Sequence, residues 1–164
     1  MPTCIESGIE FDFSLARTVC EHDMTTSKCY GVSHPDGNTG WPGVDFRVED
    51  EYGWIWLEVK HWQGRMRGSF AHKVQDKDYA AEMRGKFLGT TAYLAWNGMF
   101  TPAPLRYVLL FEPPTSSDRY LLAPFQDLVR KEMNAATKLK IRVLVMSIDS
   151  WNDVFDRFPA RKRR

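Results

Sequence analysis

Asp45, Glu58 and Lys60 are the residues whose types and spacing invite chemistry. They fall in two β-prone runs, Val44 to Glu49 and Trp54 to Lys60, on either side of Asp50-Glu51-Tyr52-Gly53. That pattern predicts a hairpin with a four-residue loop. If Glu49 pairs with Trp54, Asp45 stands opposite Glu58 and Val44 opposite Val59. Side chains alternate between the two faces of a strand. Val44, Phe46, Val48, Ile55, Leu57 and Val59 then make one apolar face, which belongs against a core. Asp45, Arg47, Glu49, Trp54, Trp56, Glu58 and Lys60 share the other. A register slip of one residue would bury the charges, so the pattern fixes the parity.

Directly opposed residues bring their Cβ atoms to about 5 Å, close enough for two carboxylates to repel each other. A divalent cation removes that conflict, and Mg²⁺ or Mn²⁺ suits one or two carboxylates completed by waters and phosphate oxygens. Lys60 lies two residues past Glu58 on the same face. A metal beside an ammonium is what phosphodiester hydrolysis requires: activated water, and positive charge where negative charge develops. The competing reading is an exposed cross-strand salt bridge, worth at most about 1 kcal/mol.

Val44-Asp45 followed by Glu58-Val59-Lys60 resembles the PD-(D/E)XK nuclease superfamily, whose fold is called restriction-endonuclease-like. The resemblance implies Mg²⁺ or Mn²⁺ held by Asp45, Glu58 and the Val59 carbonyl, with Lys60 catalytic. Val44 stands where the family usually has proline. Gln75 and Tyr79 form a Q-x-x-x-Y similar to the extra motif of the RecB-like exonuclease branch, one helical turn apart and able to reach one phosphate. Tyr79 in the core and Gln75 on the surface is the plainer reading. The family often adds a first-helix glutamate to the metal site, for which Glu10 is the candidate, with Glu6 behind it. A capping carboxylate is the equal alternative for Glu10.

The elements around the hairpin must position these groups. Ser7-Gly8-Ile9-Glu10 has the form of a capping box, and Ile9, Phe13, Ala16 and Cys20 recur at helical spacing, which predicts a helix from Ser7 to His22. Ile9, Phe11 and Phe13 also alternate as a strand would. A turn-rich loop from Gly31 to Gly43 leads to the hairpin. A helix is expected from Lys73 to Leu88 and on toward Asn97, with Thr90 to Trp96 a short strand in the alternative. Arg106 to Glu112 reads as a strand closed by Pro113-Pro114, Leu122 to Ala136 as a helix, Ile141 to Met146 as a buried strand. Asp149 or Ser150 would cap a last short helix reaching Phe158. The predicted order α-β-β-α-β-α-β-α implies an α/β fold, a mixed sheet with helices on both faces.

The 164 residues suit one domain, taken as 1–160 with a basic tail at 161–164. Apolar residues at 43% and charged residues at 26% exclude a disordered or fibrous chain. No apolar run approaches the roughly 20 residues of a membrane span, and the first residues lack a secretion signal. Three cysteines without a framework favour a reducing, cytoplasmic setting. Cys20, His22, Cys29 and His34 match no zinc spacing. The net charge of +1 hides an asymmetry. Residues up to Lys60 carry 4 Lys+Arg against 11 Asp+Glu, and the rest 18 against 10. An acidic front beside a basic back is compatible with metal next to phosphate. Arg65 and Arg67, after the hairpin, are candidate phosphate contacts with Gln75 and Tyr79. The expected partner is nucleic acid, DNA before RNA, with a homodimer compatible. The rival classes are a nuclease-like module that binds nucleic acid or protein without cutting, and an interaction domain using its tryptophans.

Overall fold

The computed structural model describes residues 3–21, 43–62, 67–100 and 104–163. Its centre is a five-stranded mixed sheet in the order β3-β4-β5-β6-β7. Strands β3 (Thr18–Glu21), β4 (Phe46–Asp50) and β5 (Gly53–His61) run antiparallel to one another. From β5 onward, β6 (Leu105–Glu112) and β7 (Ile141–Met146) are parallel. Parallel neighbours need crossovers, and helices supply them. Helices α1 (Arg67–Lys73) and α2 (Lys77–Trp96) join β5 to β6, and α3 (Leu122–Ala136) joins β6 to β7.

Each face of the sheet buries its own core. On one side Trp56, Tyr107, Leu109 and Phe111 meet Tyr79, Met83 and Phe87 of α2 and Phe125 of α3. On the other, Phe46, Val48, Ile55, Leu57 and Val59 meet α4 (Ile148–Val154) and a second sheet, β1-β2-β8. That smaller sheet comprises β1 (Thr3–Glu6), β2 (Ile9–Asp12) and β8 (Ala160–Lys162). An α/β fold covered on both faces is as expected, although the second cover is largely sheet. The face carrying Trp56 and Glu58 is therefore a second interior, not a solvent-facing surface. Among the described residues no helix is long and apolar enough to cross a membrane.

The helix expected from Ser7 to His22 is replaced by β1, β2 and β3. Ser7 and Gly8 form a two-residue turn with φ of 51° and 75°, between the paired residues Glu6 and Ile9. Positive φ at both central positions is the hairpin turn whose twist suits its strands. Ile9 and Phe11 then alternate inward with strand period, joined by Phe13 against Phe46 and Phe158. Burying those rings on period two outweighs the weaker helical spacing. The tail expected at 161–164 is likewise partly structural: Arg161 and Lys162 pair with Glu10 and Ile9 across β2–β8.

Elsewhere α3 and β7 have the expected bounds, and β6 gains one residue at its start. One continuous helix from Lys73 was expected, but the chain breaks between α1 and α2. Asp76 is the N-cap of α2, its side chain accepting from the Asp78 N–H. Thr90 to Trp96 belongs to α2. Ser147, rather than Asp149 or Ser150, caps α4. Strand β7 lies at the sheet's edge, and α3 covers it: Gln126 Oε1 accepts from the Val145 N–H at 2.8 Å, and Arg130 Nη2 donates to the Val143 carbonyl at 3.3 Å.

Candidate active site

The β4–β5 ladder has the register that the alternation predicts, with Glu49 opposite Trp54 and Phe46 opposite Leu57. It stops there. Val44 leaves the face it would share with Phe46 and joins the core under α2, where its N–H donates to Thr90 Oγ1 at 3.0 Å. Asp45 lies in the bend, and its Oδ2 accepts from the Val59 N–H at 2.7 Å. The side chain thus supplies the acceptor that a continued β4 backbone would have offered. The carboxyl is fixed at the end of β5, beside Glu58.

Glu58 is wholly buried, with 0% exposure. Its Oε1 is met by Lys60 Nζ at 2.7 Å and by Lys86 Nζ from α2. Its Oε2 is buried with no hydrogen-bond partner among the described residues. An unpartnered oxygen on a buried carboxylate is costly, because nothing replaces the water it gave up. Burial pushes the Asp45 carboxyl up first, and repulsion from Glu58 adds to it. The Val59 N–H and the two lysines oppose them, and the pKa settles at about 7 instead of 3.8. Burial pulls the Lys60 ammonium down, but Glu58, Asp45 and Glu6 outweigh it and raise its pKa above 10.5. The four groups form one electrostatic unit of two carboxylates and two ammoniums.

The β1–β2 turn comes over the end of β5. Ser7 Oγ lies 3.4 Å from the Val59 carbonyl and 3.0 Å from Glu6 Oε1. The acidic residue contributed by the N-terminal segment is therefore Glu6, whose field reaches Lys60. Glu10, the expected metal ligand, is instead ion-paired with Arg161 on the smaller sheet. The first helix that would have carried Glu10 to the site is a strand, and its register turns the side chain to β8.

Gln75 and Tyr79 do not share a helix. Gln75 is exposed in the α1–α2 connection. Tyr79 is 6% exposed, stacked on Phe125 and close to Phe111 and Trp62. Burial first, then Glu82 and Glu58, raise its pKa, so its hydroxyl stays protonated. Arg65 lies outside the described residues; Arg67 opens α1, and its side chain lies outside them too. His22, Cys29 and His34 also lie outside them, while Cys20 is buried.

Lys86 is the site residue that sequence reasoning missed. The signal was there: Tyr79, Met83, Lys86 and Thr90 recur at helical spacing, and a lysine on a buried stripe calls for an acidic partner. Thr90 Oγ1 also donates to the Lys86 carbonyl at 3.0 Å, so one turn of α2 holds both the Val44–Asp45 bend and Glu58.

Among the described residues, no group of three or more His, Cys, Asp or Glu side chains is placed to hold a metal ion. A Mg²⁺ site asks for less, since this ion binds through one or two carboxylates and keeps several waters. Asp45, its pKa raised by burial and then by the neighbouring carboxylate, and the orphaned Glu58 Oε2 are donors that fit such an ion. Comparison of the chain with protein-family models, with curated proteins and with solved structures finds no match.

Proposed function

We propose that this protein is a Mg²⁺-dependent nuclease of the restriction-endonuclease-like kind, hydrolysing phosphodiester bonds of nucleic acid, with DNA preferred over RNA. The observation that carries the proposal is the buried Glu58 Oε2, without a partner and beside the raised carboxyl of Asp45. A fold keeps such an oxygen at a cost, and a bound cation is what offsets it. The β4–β5 hairpin followed by α2, β6, α3 and β7 supports the resemblance; the three strands before it depart from the helix-first order.

In this reading Asp45 and Glu58 hold the ion, with the Val59 carbonyl as a third donor once Ser7 Oγ yields it. Mg²⁺ bound there supplies an activated water and Lewis-acid neutralisation of charge. Lys60, with 31% of its side chain exposed, directs its ammonium to the same place and stabilises negative charge developing on the phosphate oxygens. Tyr107, fully buried and within the field of Glu58 and Asp45, donates its hydroxyl to the Met83 carbonyl at 2.7 Å.

A basic groove at the end of the sheet opposite Glu58 and Lys60 is compatible with a polyanion long enough to reach both. It runs around the starts of β6 and β7, with Arg106, Arg130, Lys138, Lys140 and Arg142 along it and no acidic residue in its described lining. Arg106 is paired with Asp50 and Arg130 with Asp127, leaving three lysine and arginine side chains for phosphates. The proposal is tested by a cleavage panel of single- and double-stranded DNA and RNA with Mg²⁺, Mn²⁺ or EDTA. Divalent-dependent cutting that Glu58→Gln abolishes supports it; no cutting of any substrate with either metal refutes it.

A further inference from the structure

Lys86 belongs to none of the motifs that point to phosphodiester chemistry, yet its ammonium meets Glu58 on the oxygen that Lys60 already holds. One oxygen of this carboxylate carries two ammoniums while the other is buried with none. Two cations on one oxygen repel each other, and a single salt bridge would neutralise the charge. With Asp45 ionised, above about pH 7, the four charges of Asp45, Glu58, Lys60 and Lys86 cancel without any metal. A divalent cation on the carboxylates would leave the site with two positive charges in excess, so an ammonium is then free to leave Glu58. Asp45 attracts both ammoniums, but Lys60 also has Glu6, brought over the end of β5 by Ser7. Lys86 comes from the opposite element, is one-fifth exposed, and has its backbone pinned by Thr90, so its side chain alone need move.

Building on the nuclease reading, we propose that Lys86 is an exchangeable counter-ion. It neutralises Glu58 in the metal-free protein and, once a divalent cation takes that carboxylate, turns its ammonium to a non-bridging oxygen of the bound phosphodiester. The exchange keeps the site's charge near balance in both states. Loading with metal thereby creates the cationic contact that the substrate anion needs.

The exchange makes two opposite demands on one residue, which a merely structural lysine would not meet. Lys86→Met keeps most of the stem and removes the competing charge. In substrate-free calorimetry Mn²⁺ should bind this variant about tenfold more tightly, the size expected when one neighbouring charge stops competing. In cleavage assays at saturating Mg²⁺ the KM for DNA should rise about tenfold or more, because the phosphate has no ammonium to meet. Lys86→Arg, which keeps the charge, should return both values toward wild type, and it serves as the comparison if Lys86→Met does not fold. Mn²⁺ affinity unchanged or weakened in Lys86→Met, with wild type binding Mn²⁺ and cutting DNA, overturns the exchange alone. Wild type that takes up no Mn²⁺ overturns the nuclease reading and the exchange with it.

Discussion

Asp45→Asn is a substitution whose effect on stability should change with pH in a calculable way. The carboxyl has a pKa of about 7 in the folded protein against 3.8 for an unperturbed aspartate. Between those values the folded chain keeps a proton that the unfolded chain has released. Stability from this site is therefore whole below pH 3.8, falls by about 1.4 kcal/mol per pH unit as pH rises, and levels off above about 7. The ionised carboxylate at pH 8 then costs on the order of 4 kcal/mol. Asparagine keeps an oxygen to accept from the Val59 N–H but has no charge to bury or to set against Glu58. In EDTA the variant should match wild type near pH 4 and exceed it by about 3 to 4 kcal/mol at pH 8, roughly 10 °C in Tm. Denaturant unfolding followed by tryptophan fluorescence across pH 4 to 8 measures the gap. Mn²⁺ at a hundred times its Kd should narrow it by about 2.7 kcal/mol, because the ion stabilises only the protein that binds it. An Asp45→Asn protein that is less stable than wild type at pH 8, or a gap that does not widen with pH, would refute the reasoning.

Three further outcomes follow from the geometry. Lys60→Ala should lose most cleavage, at least about a hundredfold, while calorimetry still finds Mn²⁺ bound, because the lysine stabilises charge without ligating the ion. Gly53 has φ of +115°, and a Cβ there would lie 2.3 Å from the Pro104 carbonyl oxygen, so Gly53→Ala should cost about 2 to 4 kcal/mol in thermal or urea unfolding. Replacing Lys138, Lys140 and Arg142 with glutamine should weaken duplex binding in Ca²⁺ and lower the log–log salt slope by about 0.9 for each phosphate that is no longer neutralised. An unchanged slope would place the grip elsewhere.

The hairpin was legible because period-two alternation ran unbroken through both its strands, and only one register parity buries Phe46, Val48, Ile55 and Leu57 together. β6, α3 and β7 were legible for the same reason: each has one clean period and a clear stop. The N-terminal segment was not, because Ser7-Gly8 suits either a helix start or a hairpin turn. What decides between them is the packing of Phe11 and Phe13 on Phe46, more than thirty residues away. One residue keeps Gln75 and Tyr79 off a common helix, since the Asp76 side chain caps α2 after Gln75. The closeness of Asp45 and Glu58 was legible from spacing, whereas Lys86 beside them could be seen only by asking what a lysine on α2's buried stripe would face. Spacing within a strand fixes a side chain's face; the partner across a crossover depends on how a helix is rotated, which local pattern does not set.

The way α3 covers β7 governs how this sheet can meet other chains. An uncovered edge is a template: its free amides and carbonyls recruit a peptide, a second copy or a growing fibril by strand addition. Here Gln126 and Arg130 occupy the outward backbone groups of Val145 and Val143 in the middle of that edge. The sheet is terminated by two side chains of a helix that already belongs to the core, not by a shortened strand or a proline. Recruitment at β7 would first have to pull α3 away from Phe111 and Tyr79, so the barrier to fibril growth there is the stability of the folded domain itself.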